Sequence, residues 1–481
     1  VRVPYLDDGD VRLYQGDVLD VLREMEAESV QTCVTSPPYW GLRDYGTATW
    51  EGGSADCDHV RKPPPTGSHD PGIRASTLGG GKQTTTAQSA AAFAYRETCG
   101  KCGATRKDAQ LGLEPTPGEY VARMVEVFRE VRRVLRDDGT LWLNLGDSYA
   151  NGHAGSPSPA STLAGNGHSG GGPNALAVAE VTRSAPDLKP KDLVGIPWRV
   201  AFALQEDGWY LRADVIWAKP NPMPESVTDR PTKAHEYVFL LSKSPRYFYD
   251  AEAVREPSVG SSWHDLTGGG MDVPGQSPQV GRVSKKRSIR PGVDVGGGAG
   301  QCAGEMTYPA AGRNARSVWT ITTKPYAGAH FATFPTELPT RCIKAGTPEA
   351  GRCAECGAPR ERVVVATAPD GRRAEMRGGK AYDHEGRPLM GDNMIDHGAR
   401  GSWNSGGRTL TRETSGFRPS CECDAETVPA VVLDPFSGAA TTALVARGLG
   451  RRAVGIELNP EYLAISAERL RQLSLFGQVA S

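Results

Sequence analysis

The feature that most constrains the fold is an alternation of short strands and helices between residues 431 and 472. Val431-Val432-Leu433 is an apolar run suited to a buried strand, followed by a small-residue turn, Asp434-Pro435-Phe436-Ser437-Gly438-Ala439-Ala440. The spacing then predicts a helix from Thr441 to Arg447, a strand over Ala453-Val454-Gly455-Ile456 and a helix from Pro460 to Gln472. Pro460 falls in the first helical turn, where its missing N–H leaves no bond unmade. Strands separated by helices cannot pair as hairpins, so the pattern demands a mostly parallel sheet covered on both faces.

The same alternation recurs upstream. Val11 to Tyr14 and Val30 to Val34 suit strands, with apolar residues at helical spacing from Val18 to Met25 between them. Tyr120 to Leu135 predicts an amphipathic helix with Val121, Met124, Val125, Phe128, Val131 and Leu135 on one side. A turn at Asp138-Gly139 leads to a strand over Thr140 to Leu145. Leu193 to Glu206 reads as helix, and Tyr210 to Trp217 and Glu236 to Ser242 as strands. The stretches 51–93, 151–185, 256–316 and 350–425 are polar or rich in small residues. They absorb much of the 58 Gly and 36 Pro, and they explain why only 38% of 481 residues are hydrophobic.

No apolar run reaches the roughly 18 residues that a membrane helix needs, and Val1 to Tyr5 lacks the apolar core of a signal peptide. A cytoplasmic protein is expected, with its ten cysteines reduced or metal-bound. A net charge of −1 neither demands nor excludes a nucleic-acid partner; it requires positive charge to be gathered on one face. The run from Arg282 to Arg290 is either such a recognition segment or a solvated loop.

Two motifs carry chemistry. The turn at 434–442 would let a ligand approach the backbone closely, and Glu457, about 20 residues on, ends the next strand where an acid can hold ribose hydroxyls. Alone, this is equally an ordinary strand-to-helix turn with a surface Glu. The other motif, Thr35-Ser36-Pro37-Pro38-Tyr39-Trp40, ends a strand. Its prolines fix φ and lack N–H groups, so carbonyl oxygens stand free beside a hydroxyl and an aromatic face. That set suits an aromatic amine, a poor nucleophile because its lone pair is delocalised. Ser36 Oγ and the Pro37 carbonyl could take its two hydrogens, and Tyr39 could stack on the ring for about 1–3 kcal/mol. The simpler alternative is a Pro-Pro loop that only terminates a strand.

Ser-Pro-Pro-Tyr near the start and Asp-Pro-Phe-x-Gly near the end resemble the permuted β class of amino-methylating DNA methyltransferases. Tyr14-Gln15-Gly16-Asp17, the segments 139–149, 235–244 and 247–250, and Ser317-Val318-Trp319 with His330 to Pro335 resemble further family elements in the same order. The resemblance implies a Rossmann-like α/β core that binds S-adenosylmethionine through Asp17, Asp434, Phe436, Gly438, Thr441 and Glu457, with Phe331 and Thr333 lining the pocket. It implies catalysis by Ser36, Pro37, Pro38 and Tyr39 on a base flipped out of double-stranded DNA. Ser-Pro-Pro goes more often with cytosine N4 than with adenine N6, which stays as the alternative. The family usually has Gly at the position of Ala440. A cognate restriction endonuclease is a possible companion. RNA or protein glutamine as substrate, and a non-catalytic zinc-dependent DNA-binding protein, are the competing readings.

Cys99-Gly-Lys-Cys102-Gly-Ala and Cys353-Ala-Glu-Cys356-Gly-Ala are near-repeats with the C-x2-C spacing that zinc favours. Cys57 with His59 would complete the first site, His69 being the substitute for His59, and Cys421 with Cys423 the second. Four soft ligands predict closed structural zinc. The expected organisation is a methyltransferase core over 1–50, 110–255, 317–350 and 425–475, a zinc-bearing insertion at 51–110, a basic loop or recognition segment at 256–316 and a second zinc-bearing insertion at 350–425.

Overall fold

The computed structural model describes residues 2–41, 47–59, 98–150, 188–256, 313–323, 334–367, 373–377, 380–382 and 411–477. His69, Phe331, Thr333 and the run Arg282 to Arg290 lie outside them. The chain divides into two compact units. One comprises Val1–Asp250, Arg316–Pro359 and Cys421–Ser481; the other comprises Ala251–Ala315 and Arg360–Ser420.

The first unit opens with β1 (Leu6–Asp7), β2 (Val11–Gln15), α1 (Val18–Glu24) and β3 (Val30–Thr35), followed by the hairpin of β4 (Thr49–Glu51) and β5 (Thr105–Lys107). Next come α2 (Pro117–Val134), β6 (Leu135–Leu145), α3 (Ile196–Glu206), β7 (Tyr210–Ala218), β8 (His235–Ser242), β9 (Val318–Thr320) and α4 (Glu337–Gly346). After β10 (Arg352–Cys353) the chain enters the second unit with β11 (Arg360–Thr367), β12 (Arg373–Arg377), β13 (Lys380–Tyr382) and β14 (Thr411–Pro419). It returns through β15 (Thr427–Val428), β16 (Val431–Asp434), α5 (Thr441–Gly448), β17 (Arg452–Glu457) and α6 (Pro460–Gly477).

Among the described residues nine strands form one sheet in the order β1-β2-β17-β16-β3-β6-β8-β7-β9. The pairs from β2 to β6 are parallel, β8 is antiparallel to both neighbours, and β9 is parallel to β7. This is the mostly parallel, Rossmann-like sheet that the alternation demanded. All six residues of β3 are buried, as a central parallel strand requires. The second unit holds a four-stranded antiparallel sheet, β13-β12-β11-β14. No described helix is long and apolar enough to cross a membrane.

Helix α2 starts at Pro117, before the expected Tyr120, because Thr116 and Glu119 form a reciprocal capping box around it. Its fully buried face is Tyr120, Met124, Val127, Phe128, Val131 and Val134; Val121 and Val125 are only partly buried at its margin. Helix α3 starts at Ile196, not Leu193. Gly195 holds φ of 76° at its N-cap, and Leu193 is 51% exposed. The expected turn at Asp138-Gly139 is a bulge inside β6: pairing steps from Val30 to Thr32 on one strand and from Leu135 to Thr140 on the other. Strand β9 is three residues long, too short for alternation to announce it.

Strand β16 leads through α5 to β17 on one side, whereas β3 leads towards β6 on the other. The strand order therefore reverses between β16 and β3, where open α/β sheets leave a crevice at their carboxyl ends. The Ser-Pro-Pro-Tyr corner follows β3 and the glycine turn follows β16.

Candidate active site

The two corners are tied together. Val432 pairs with Thr32 and Leu433 with Cys33, so both strands end at the same edge. The buried Thr35 Oγ1 donates to Asp434 Oδ1 at 2.7 Å, and Thr442 Oγ1 donates to the Val34 carbonyl at 3.2 Å. Motifs nearly 400 residues apart in sequence thus share one hydrogen bond.

At the end of β3, Pro37 is buried and Ser36, Pro38 and Tyr39 are half-buried. The Pro38 carbonyl accepts from Tyr120 Oη at 2.9 Å, so α2 fixes this corner. Gly112, at φ of 94°, passes so close that a Cβ there would stand 2.8 Å from the Tyr39 carbonyl. The Tyr39 ring lies over Gly146, where a Cβ would come within 2.5 Å of its Cε2.

Three residues not singled out in the sequence complete this corner. Tyr39 Oη donates to Glu236 Oε2 at 2.8 Å and accepts from Asn144 Nδ2 at 2.8 Å. Asn144 Nδ2 also faces Ser36 Oγ at 3.2 Å and Glu236 Oε2 at 3.0 Å, and Ser36 Oγ donates to Tyr39 Oη at 3.3 Å. Lys219 Nζ bonds the other Glu236 oxygen, and its ammonium sits 4.4 Å from the Trp217 ring centroid. Burial pushes the Glu236 carboxyl up, but Lys219 and the bonds from Asn144 and Tyr39 outweigh it and hold the group below its ordinary value. Burial, then the Glu236 charge, raises Tyr39 well above an ordinary phenol. A signal for Asn144 and Glu236 existed: Asn144 is a lone polar residue in Leu-Trp-Leu-Asn-Leu, and Glu236 is the one carboxylate in the otherwise largely apolar strand His-Glu-Tyr-Val-Phe-Leu-Leu.

The glycine turn is braced from below. Ser466 Oγ on α6 donates to the Gly438 carbonyl at 2.7 Å, and Arg469 binds the Ala439 carbonyl and Thr441 Oγ1, each at 2.8 Å. Ala440 sits at φ of 55°, a left-handed conformation that favours glycine, and is fully buried. Glu457 accepts from the Gly438 N–H and the Asn459 N–H, both at 2.8 Å. Burial raises its pKa to about 7, and burial likewise raises Asp434 to about 6. The Phe436 N–H bonds Asp434 Oδ1 at 3.1 Å, and its half-buried ring packs on the core.

Asp17 caps α1, accepting from the Leu19 N–H at 2.8 Å. It stands beside this turn because β2 pairs with β17 and the Gly16 N–H bonds the Glu457 carbonyl at 3.1 Å. Six expected cofactor residues, Asp17, Asp434, Phe436, Gly438, Thr441 and Glu457, therefore lie on three neighbouring strand ends. A small polar ligand fits here: nothing stands within 4 Å of a Cβ built on Gly438, and the buried Ser437 Oγ has no partner among the described residues.

The cysteine knuckles fold alike. In each, the first Cys carbonyl accepts from the Gly N–H (Gly103 at 2.8 Å, Gly357 at 3.0 Å) and that glycine has φ of 74° or 72°. The ligand atoms of Cys57, His59, Cys99 and Cys102 lie within 4.8 Å of one another, as do those of Cys353, Cys356, Cys421 and Cys423. The Cys57 and Cys99 sulfurs are 3.7 Å apart, close to the roughly 3.8 Å that tetrahedral zinc with bonds of about 2.3 Å requires. His59 presents Nδ1 at 3.6 Å from Cys102 Sγ, with its ring stacked on Trp50 at 4.5 Å. At the second site the β10–β15 pairing brings Cys353 beside Thr427, joining the two ends of the excursion that carries the Arg360–Ser420 part of the second unit. The donor sets fit a soft, four-coordinate metal at both places.

Residues 30–354 and 427–468 match the family N6_N4_Mtase, described as DNA methylase. The chain is 33% identical over 460 residues to the type II methyltransferase M.XycI of Xanthomonas campestris pv. cyanopsidis, covering 95% of this chain and 87% of that one. M.Cfr9I of Citrobacter freundii, also a type II methyltransferase, gives the same identity and coverage. Among solved structures, the PvuII DNA methyltransferase (cytosine-N4-specific) matches at 14% identity with a TM-score of 0.43, covering 97% of this chain and 88% of that one.

Proposed function

The chain belongs to the N6_N4_Mtase family of DNA methylases, and from that membership we propose that it methylates the exocyclic N4 of cytosine in duplex DNA. It is an S-adenosylmethionine-dependent DNA methyltransferase. The observation that carries the reading is the Thr35–Asp434 hydrogen bond, which joins the amine-binding corner to the cofactor turn across the crevice.

Bound S-adenosylmethionine supplies an electrophilic sulfonium methyl. Asp17, Asp434, Phe436, Gly438, Thr441 and Glu457 are proposed to hold it, with Glu457 on its ribose hydroxyls. Ser36 Oγ and the Pro37 carbonyl receive the hydrogens of the flipped base, while the Pro38 carbonyl is already held by Tyr120. This grip orients the amine lone pair towards the neighbouring turn, and orientation supplies much of the acceleration. Extruding the base costs a few kcal/mol, which contacts with DNA must offset. The Arg-rich second unit and the basic run at 282–290 are proposed to supply them. In the described part of that unit, Arg418 pairs with Glu375 and Arg373 with Glu413, so its arginines are partly committed to the sheet.

Serine at position 36 favours cytosine N4, and adenine N6 is the alternative reading. The cysteine clusters are proposed to hold one structural zinc each. The resemblance to type II enzymes favours a paired restriction endonuclease. The deciding experiment is methylation of duplex DNA with labelled cofactor, digestion to nucleosides and mass spectrometry. N4-methylcytosine is expected; N6-methyladenine would overturn the base assignment alone, and labelled RNA or protein without labelled DNA would overturn the DNA reading.

A further inference from the structure

We propose that Glu236, anchored by Lys219, is a positioning residue that fixes the proton direction of the Ser36 hydroxyl, so that Ser36 meets the target amine as an acceptor. The inference rests on the proposed role of Ser36 in gripping that amine.

The direction follows from counting hydrogens. An ionised carboxylate only accepts. Tyr39 has a single hydroxyl proton, directed at Glu236 Oε2 over 2.8 Å, and its oxygen is thereby left to accept. The Asn144 amide is set by the same carboxylate. Turned round, its Oδ1 would face Glu236 Oε2 at 3.0 Å, oxygen against oxygen. Its Nδ2 therefore points into the cluster and gives its two hydrogens to Glu236 Oε2 at 3.0 Å and Tyr39 Oη at 2.8 Å, with Ser36 Oγ the most distant neighbour at 3.2 Å. Because the Tyr39 proton is committed to Glu236, the 3.3 Å contact between Ser36 Oγ and Tyr39 Oη must be made with the serine proton. One Ser36 lone pair is left for a hydrogen of the amine. A neutral amide at position 236 could donate to Tyr39 Oη, release the phenolic proton towards Ser36 and turn the serine into a donor, the wrong polarity for an NH2 group.

Lys219 keeps the carboxylate ionised where it is only 5% exposed. Lys219 directly follows β7, Glu236 lies on β8 and Asn144 on β6, so three adjacent strands set the polarity of the hydroxyl that directly follows a fourth, β3.

The test is single-turnover transfer of tritiated methyl groups to unmodified plasmid DNA, with cofactor affinity measured separately by calorimetry. Glu236→Gln is expected to slow transfer about tenfold or more while the cofactor Kd stays within about twofold. Tyr39→Phe should slow it comparably, and Tyr39→Phe with Glu236→Gln should lose far less than the product of the two, because they act through one hydroxyl. A residue that merely supports the fold would give multiplicative losses and weaken cofactor binding in step.

Removing the carboxylate alone leaves Lys219 buried without its partner. Lys219→Met with Glu236→Gln is therefore the companion variant, expected to melt near the parent and to remain slow. Parental transfer rates in that folded pair, or multiplicative losses with Tyr39→Phe, would overturn the proposal. Ser36→Ala separates the two readings. If it transfers at the parental rate, the grip on the amine fails; if it is slow while Glu236→Gln is not, only the positioning role fails.

Discussion

At the scale of single residues, the corner at 36–39 depends on what is missing as much as on what is present. Position 146 has no room for a side chain, because the Tyr39 ring occupies the space a Cβ would take. Tyr39 cannot retreat, since its hydroxyl is held by Glu236 and Asn144. Gly146→Ala is therefore expected to cost about 1–3 kcal/mol of overpacking and to slow methyl transfer, with cofactor affinity preserved; denaturant unfolding and calorimetry check the two halves. Ser36→Ala should slow turnover about tenfold, the worth of one oriented hydrogen bond, again without weakening cofactor binding. A parallel loss of cofactor affinity would place Ser36 on the wrong side of the crevice. Glu457 has its own signature. Its folded pKa of about 7 lies above its ordinary value, so the folded state holds the extra proton between those two values. That contribution to stability is complete at low pH and is lost as pH rises through about 7. Glu457→Gln should therefore melt progressively higher than the parent as pH is raised from 4.5 to about 7 in the absence of cofactor, the gain levelling off above that, and an unchanging difference in melting temperature would contradict the assigned burial.

At the scale of elements, local chemistry decides where each piece begins and register decides what it meets. The capping box of Thr116 and Glu119 starts α2 early enough to bring Tyr120 under the Pro38 carbonyl. Thr116→Ala should cost about 1 kcal/mol in urea denaturation. Asp147 caps α3 in another way: its carboxylate accepts from the Gly195 N–H at 3.0 Å and the Ile196 N–H at 3.1 Å, across a gap of nearly 50 residues in sequence. The parallel register of β16 on β3 aligns two motif-bearing ends, and β8 sits antiparallel beside β6 so that Glu236 faces Asn144.

At the scale of the whole molecule, the two cysteine clusters bring together segments that the central sheet does not hold. The first gathers the ends of the excursion between β4 and β5, and the second gathers the two strands of chain leading to and from the second unit. The structural zinc proposed for each cluster would contribute directly to folding. Elemental analysis of native protein is expected to find two zinc ions per chain. Strong chelation should lower the melting temperature while leaving cofactor binding at the central sheet largely intact. Metal-free native protein of unchanged stability would refute this.

The sequence by itself determined the alternation of strands and helices, the parallel sheet, the proline corner, the glycine turn and both C-x2-C knuckles. Each is a local pattern whose meaning lies within about twenty residues: a period, a turn, a knuckle. Only tertiary structure decided that Thr35 bonds Asp434, that Ser466 and Arg469 brace the glycine turn, and that Lys219, Glu236 and Asn144 converge on Tyr39. Those contacts join residues 17 to 399 positions apart, and no periodicity in the chain encodes which polar residue on one strand will face which on the next. Sheet order and register choose the partners, because a buried carboxylate or amide must find a donor or acceptor wherever the packed strands deliver it.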